Sequence, residues 1–327
     1  MKKKILVSRL YPKAGIRLLE KEDFALTLWE KERPMTQTEL IEQAKTHHAL
    51  LCTLTDRIDQ HFLKHCRHLE IISQFAVGYD NIDIEKATSF GIPVGFTPDA
   101  MSEATADIAF GLMIAVARKM FFLHKTIIKG QWGHFNPTGN LGLELKNKTL
   151  GIFGLGRIGV KMAQRCKNAY DMDIIYHNRT RNKAAEKMLN ATYVKFDDLL
   201  LQSDVLSVHC ALTSATKEIF NGPVFKKMKS SAIFINTARG PIHHEKDLAQ
   251  AILKGDIWGT GLDVTNPEPM QPDNPLLTME NVCILPHVGS GTIEARDQMS
   301  VLAAMNIIKF YKNDNVPHIV NPEVLKP

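Results

Sequence analysis

The chain is poor in the features that mark exported, membrane-spanning or nucleic-acid-binding proteins. It has only five cysteines, Cys52, Cys66, Cys166, Cys210 and Cys283, scattered and never in C-x-x-C spacing. Free thiols in a reducing compartment are expected, not a disulfide framework. No block of five or more like charges occurs, and the net charge is a modest +5. A nucleic-acid partner and a polybasic membrane surface are therefore not expected, although the small excess can help attract anionic ligands. The longest apolar stretch, Ala109 to Ala117, is flanked by Asp107 and Arg118 and is too short to cross a bilayer. Lys2-Lys3-Lys4 resembles the start of an export signal, but only Ile5-Leu6-Val7 follows, which reads as a first strand. A cytoplasmic location is the default expectation. No internal repeat or low-complexity tract is visible.

What is present is ample apolar residue content for a packed core, 44%, and a length of 327 residues that fits one very large or two ordinary domains. Short β-rich runs alternate with helical periods through the first hundred residues: strands at Lys4–Ser8, Ala49–Thr53, Ile71–Phe75 and Ile92–Gly95, helices at Ala14–Glu22, His61–His68 and Ile84–Phe90. This pattern implies a parallel sheet with helices on both faces. A long apolar helix is expected from Met101 to Met120, and Lys129–Leu143 reads as a loop. Later strands are expected at Val205–Cys210, Ala232–Asn236, Gly259–Asp263 and Val282–Leu285, with helices at Glu245–Lys254 and Thr292–Tyr311.

The strongest single signal is Gly154-Leu155-Gly156-Arg157-Ile158-Gly159. An apolar strand, Leu150–Phe153, leads into it; a helix from Val160 and a second strand, Asp173–His177, follow. Strand, G-x-G-x-x-G loop, helix and strand in this order point to a dinucleotide site, because the loop brings backbone and helix N-terminus up to a pyrophosphate. Asp or Glu at the end of the second strand would accept hydrogen bonds from a ribose 2′-OH. This chain has Asn178-Arg179-Thr180-Arg181 instead, with no carboxylate from His177 to Lys183. Guanidinium groups match a 2′-phosphate, so NADP(H) is preferred, with NAD(H) as the alternative cofactor. The competing explanation is that the arginines are solvated charges at the start of the next helix.

Three polar groups lie just past later strand ends: Arg239, Glu268 and His287. Ligands in parallel sheets bind beyond such ends. Hydride addition to a 2-keto acid needs a cation for the carboxylate and carbonyl, and a proton donor near neutral pH. Arg239 can supply the first, His287 the second, and Glu268 can hold the His287 ring. Taken singly, each is an ordinary surface arginine, loop glutamate or strand-end histidine. His209 ends a strand beside the cofactor region, where it can approach the ribose or simply pack. His61, His65 and His68 share helical spacing but read as a polar face, and no metal is expected.

Together these segments resemble the D-isomer-specific 2-hydroxyacid dehydrogenase family over nearly the whole chain. Val77–Asp83, Gly154–Gly159, Phe234–Gly240, Gly261–Pro269 and Pro286–Ser290 carry the resemblance. Lys229–Asn236 and Asn274–Leu277 are most similar to the glyoxylate/hydroxypyruvate reductases, including those that reduce 2-ketogluconate. The implied fold is α/β, with two Rossmann-like or flavodoxin-like domains of parallel strands. A cofactor domain (residues 100–287) would be inserted in a substrate domain (1–99 and 288–327). The resemblance also implies substrate contacts from Leu54, from the backbone of Val77 and Gly78, and from Ser290. It places Thr105, Thr237, Ala238, Asp263 and Gly289 around the nicotinamide, beside Gly154, Gly156, Arg157, Ile158 and Gly159. A small 2-keto acid substrate and a homodimer are implied, the latter with Trp132 and Phe135 reaching the partner or merely packing.

Two departures stand out. Where the family usually has Val-Asp after Arg-Gly-x-x, this chain has His243-His244, followed by Glu245. Asp107 and Gly291 replace a usual Glu and Ala. The rival functions are a cofactor-sensing regulator of the same fold and an NAD-linked dehydrogenase for another D-2-hydroxy acid. The intact Arg239–Glu268–His287 set argues against the first, and Arg179 and Arg181 argue against the second.

Overall fold

Strands buried on both faces can be apolar throughout, and most strands of this chain are. The protein is described here by a computed structural model covering residues 2–325. It opens with β1 (Lys3–Val7), α1 (Lys13–Lys21), β2 (Phe24–Leu28), α2 (Gln37–Ala44), β3 (Ala49–Cys52), α3 (Gln60–His65), β4 (Ile71–Gln74), α4 (Ile84–Ser89) and β5 (Val94–Gly95). All pairings are parallel, in the order β2-β1-β3-β4-β5. Connections leave in opposite directions on either side of β1 and β3, so their carboxyl ends flank a crevice.

A second run begins with α5 (Ser102–Ala117) and α6 (Met120–Ile128). It continues through β6 (Thr149–Phe153), α7 (Arg157–Tyr170), β7 (Asp173–His177), α8 (Lys183–Leu189), β8 (Thr192–Tyr193), α9 (Phe196–Gln202) and β9 (Val205–Val208). Then come α10 (Gly222–Phe225), β10 (Ile233–Asn236), α11 (Glu245–Lys254), β11 (Gly259–Leu262) and β12 (Val282–Ile284). These strands form a parallel sheet ordered β12-β11-β10-β9-β6-β7-β8. Its reversal lies between β6 and β9. The chain then closes with α12 (Ile293–Tyr311).

Residues up to Met101 and those from Gly291 on make one compact unit, and Ser102–Ser290 make the other. In the first, Leu50, Leu63, Phe62 and Ile72 fill one face of the sheet, and Ile5, Leu51, Ile71 and Ile307 fill the other. Each such side chain contributes about 1.5–3 kcal/mol on burial. Helix α12 packs on α1 across Gly15, whose N–H donates to Ser300 Oγ at 3.2 Å. In the second unit, α5 packs against α7 and β10–β12, which explains why it is apolar nearly all round.

The helix expected from Met101 to Met120 is α5, which stops three residues short, and a further helix, α6, follows it. Helix α5 ends where Ala117 O accepts the N–H of Leu143 at 2.9 Å, and Lys119 takes a left-handed φ of 52° before α6 starts. No glycine or proline marks this break, because it is set by a distant segment. The sequence reading also passed over β2, α2, α6, α8, β8 and α10. Strand β2 pairs only with β1 and is half-exposed, so its alternation is weak. Helix α2 did carry a usable sign, a capping box between Thr36 and Glu39.

A Cβ placed on Gly15 would lie 2.1 Å from the Ser300 carbonyl oxygen. Gly15→Ala is therefore expected to destabilise the protein by about 1–3 kcal/mol, read as a lower denaturant midpoint. An unchanged midpoint would show that α1 can withdraw from α12 at no cost.

Candidate active site

The glycine loop follows β6 at the strand-order reversal, where the chain leaving β9 runs alongside it. Gly154 has a φ of 103°, and a Cβ there would meet Cys210 N at 2.6 Å. Only glycine satisfies both the backbone and the space. A Cβ on Gly159 would meet the Gly154 carbonyl oxygen at 2.6 Å, so this glycine lets α7 pack close to the loop. Gly156 faces open space and is the N-cap of α7, with no side chain capping the helix. Arg157 and Ile158 begin that helix. Uncapped N–H groups and the positive end of a fourteen-residue helix fit a pyrophosphate.

The end of β7 is tied to this loop by two asparagines. Asn178 Oδ1 accepts the Leu155 N–H at 2.7 Å, and Asn182 Nδ2 donates to the Leu155 carbonyl at 3.0 Å. Asn178 thus braces the loop, while Arg179, Thr180 and Arg181 are exposed beyond it. Arg181 is not simply solvated. Its Nε and Nη2 both donate to Glu186, each at 2.9 Å, and Glu186 also accepts from Tyr176 Oη at 2.5 Å. The Arg181 hydrogen bonds, then that of Tyr176, hold the Glu186 carboxyl below its ordinary range. The sequence reading found no carboxylate near the arginines because Glu186 reaches back from one turn inside α8.

Across the sheet, the residues following β9–β12 gather. His287 Nδ1 lies 2.9 Å from Glu268 Oε2, and Glu268 Oε1 accepts the Thr265 N–H at 3.0 Å. Burial pushes the Glu268 carboxyl up, but the hydrogen bond and charge of His287, helped by Thr265 and Arg239, more than offset this and leave it lowered. Glu268 therefore keeps its charge through the neutral range and loses it only on acidification below ordinary carboxylate values.

His287 has a φ of 52°, unusual for a side-chain-bearing residue and costing about 1–3 kcal/mol. Asp263 compensates. Its carbonyl accepts the His287 N–H at 2.9 Å, and its two carboxylate oxygens accept Val288 N–H at 2.8 Å and Gly289 N–H at 2.7 Å. Two bonds to a carboxylate at about 1.5–3 kcal/mol each exceed the strain. Thr105 Oγ1 adds a hydrogen bond to the Gly289 carbonyl at 3.2 Å. Asp263 and Thr105 were expected beside the nicotinamide; the structure gives both a part in shaping the His287 turn. Ser290 is half-buried at the end of that turn.

The Arg239 loop is built the same way. Asn236 Oδ1 accepts the Ala238 N–H at 2.9 Å, and its Nδ2 donates to the Arg239 carbonyl at 2.9 Å and to His243 Nδ1 at 3.0 Å. Burial lowers the His243 imidazole to about 4, so it is a neutral acceptor. Glu245, one residue after His244, carries a carboxylate that ties this loop to the next. Glu245 Oε2 accepts the Asn266 N–H at 2.8 Å, and Oε1 accepts from Asn274 Nδ2 at 2.6 Å. A Cβ on Gly240 would lie 1.8 Å from the Thr265 carbonyl oxygen, so the Arg239 and Glu268 loops touch. The sequence assigns no supporting role to Asn236 or Asn274, because their partners lie on backbone and side chains that only the folded loops bring near. His209 makes Nε2 and Nδ1 contacts with Ser207 Oγ at 2.9 Å and Thr237 Oγ1 at 3.4 Å, and burial lowers it to about 3. Thr237 and Ala238 lie on the same loop as Arg239.

Leu54, Val77 and Gly78 belong to the other unit, just past β3 and β4. Among the described residues, no backbone carbonyl accepts from the N–H of Val77 or Gly78. Two such donors suit a carboxylate. Asn81 joins the two segments: its Nδ2 donates to the carbonyls of Thr53 and Asp56, at 3.2 and 2.8 Å, and its Oδ1 accepts from Gln74.

Residues 110–289 match the model of the D-isomer specific 2-hydroxyacid dehydrogenase, NAD binding domain. The chain belongs to this family of dehydrogenases. It is 42% identical to a glyoxylate reductase of Pyrococcus furiosus, over 100% of this chain and 97% of the relative. A glyoxylate reductase structure from Paecilomyes thermophila superposes with a TM-score of 0.87 at 32% identity, covering 98% of this chain and 99% of that one. An NADPH-dependent glyoxylate/hydroxypyruvate reductase from Sinorhizobium meliloti, solved with NADP and malonate, gives a TM-score of 0.87 at 29% identity, covering 100% and 99%. The enzyme is thus an NAD(P)-dependent D-2-hydroxyacid dehydrogenase built on two parallel sheets. Among the described residues, no helix is long and apolar enough to cross a membrane.

Gly154→Ala is expected to weaken dinucleotide binding, measured by calorimetry, by at least about tenfold, since the added Cβ strains the loop and displaces its neighbour. Normal affinity in the folded variant would remove the loop from the site.

Proposed function

We propose that this dehydrogenase reduces a small 2-keto acid (glyoxylate, hydroxypyruvate or 2-ketogluconate) to the D-2-hydroxy acid with NADPH. The observation that carries the proposal is the Glu268–His287 pair at 2.9 Å, on a turn locked by Asp263, beside the loop that presents Arg239. Kinship with glyoxylate reductases supports the substrate class.

When bound, the reduced nicotinamide supplies the hydride. His287 Nδ1 is committed to Glu268, so Nε2 is the nitrogen left to hand a proton to the substrate oxygen. Glu268 holds the ring in place through this hydrogen bond. Arg239, with its planar fork of donors, anchors the substrate carboxylate and draws electron density from the adjacent carbonyl. The N–H groups of Val77 and Gly78 are assigned to the carboxylate, Leu54 to the wall of the pocket, and Ser290 to a substrate hydroxyl. Thr105, Thr237, Ala238, His209, Asp263 and Gly289 are assigned to the nicotinamide side. Gly154, Gly156, Arg157, Ile158 and Gly159 are assigned to the pyrophosphate.

NADPH is preferred on the strength of Asn178, Arg179, Thr180 and Arg181, with Glu186 fixing the direction of the Arg181 fork while leaving Nη1 for a phosphate. The relative solved with NADP is described as NADPH-dependent. Steady-state rates test these assignments together. Wild type is expected to show a lower KM for NADPH than for NADH, and His287→Ala or Arg239→Ala to lower kcat/KM for glyoxylate by about 10²–10⁴-fold. Wild-type rates in either variant would end the mechanism, and a clear NADH preference would end the cofactor assignment.

We further propose a homodimer joined through α6 and the loop after it. Met120, Ile127, Ile128, Trp132, Phe135 and Leu141 are all exposed there, Trp132 at 80% and Phe135 at 92%. Such a concentration of large apolar side chains suits a second copy of the chain. Light scattering should give twice the 36.7 kDa chain mass, whereas a monomer at micromolar concentration would exclude this surface.

A further inference from the structure

The first unit carries a cation that none of these roles uses. Arg9 stands just beyond β1, and Thr55 just beyond β3, on the two sides of the strand-order reversal. Parallel sheets bind ligands at such reversals. Arg9 Nη2 donates to Thr55 Oγ1 at 2.6 Å, so the guanidinium bridges the crevice. Its Nη1 is shielded from solvent yet has no hydrogen-bond partner. Among the described residues, no carboxylate lies within ion-pair distance of Arg9. Asp56 is nearby and attracts Arg9 without forming an ion pair: its Oδ2 accepts from Ser8 Oγ at 2.5 Å and from Thr53 N–H at 2.8 Å, while its Oδ1 is buried and, like Arg9 Nη1, has no hydrogen-bond partner. A buried, unpartnered cationic donor is costly unless something else satisfies it.

The spacing of the strands says what that something is. Strands β1, β3 and β4 are consecutive neighbours, so Arg9 and the Val77–Gly78 donors are separated by two inter-strand spacings, about 9–10 Å. Leu54 lies between them, beyond β3. A keto acid held by its carboxylate at Val77 and Gly78 would run past Leu54 toward Arg9. Glyoxylate and hydroxypyruvate are too short to arrive. A six-carbon sugar acid spans the distance and ends in a hydroxyl that can accept from a guanidinium.

We propose that Arg9 and Thr55 form a distal subsite that reads the far hydroxyl or anionic end of a long 2-keto acid, making Arg9 a specificity-determining residue. The inference rests on the proposed seating of the carboxylate at Val77 and Gly78. The test compares wild type, Arg9→Gln and Arg9→Lys on glyoxylate and 2-ketogluconate with NADPH. It adds calorimetric binding of 2-ketogluconate to the NADP-loaded protein. Arg9→Gln should raise the KM and weaken the binding of 2-ketogluconate by about tenfold or more, with kcat and the glyoxylate KM nearly unchanged. Arg9→Lys should recover part of the loss. An equal loss on both substrates would mean that Arg9 only supports the fold, and overturns the subsite. So does wild type that fails to bind 2-ketogluconate, or binding that ignores Arg9. Arg9-dependent binding without turnover would instead overturn the proposed reaction and leave the subsite standing.

Discussion

The arrangement of the candidate site depends on one buried carboxylate. Asp263 directly follows β11 and receives N–H groups from the turn that follows β12, through both carboxylate oxygens and its own carbonyl. Those bonds hold His287 in a backbone conformation that a side-chain-bearing residue avoids. Burial pushes the Asp263 carboxyl up, while the Val288 and Gly289 N–H groups and the His287 charge draw it back, leaving it above its ordinary value. Adjacent parallel strands bring the donor turn and the acceptor together, so the sheet register is what aims the imidazole.

The same device recurs along the sheet edge. Asn236 folds the Arg239 loop onto itself, Glu245 holds the chain at Asn266, and Gly240 lets the two loops touch. Asn178 and Asn182 tie the end of β7 to the glycine loop. In each case a short polar side chain satisfies backbone groups that would otherwise be left unpaired at a strand end. The residues assigned to chemistry are few, and each is outnumbered by residues that place it.

The His243-His244 pair is built into these supports. The neutral His243 ring accepts from Asn236, and Glu245, one residue after the pair, grips the Glu268 loop at Asn266. The loop is thus tied at both ends by side chains, and Arg239 stands past β10.

The sequence by itself determined the alternating α/β plan and the glycine loop with its strand and helix, and it singled out Arg239, Glu268 and His287 as candidates. These are legible because period, glycine spacing and strand-end placement are local properties. Only the tertiary structure decided that α5 stops at Ala117, since the group that ends it is Leu143. It also decided that Glu186 grips Arg181, that Asp263 carries the strain at His287, and that Arg9 faces Thr55 across the first sheet. Each joins residues from separate elements through hydrogen bonds, and a linear pattern does not record which strand will lie beside which.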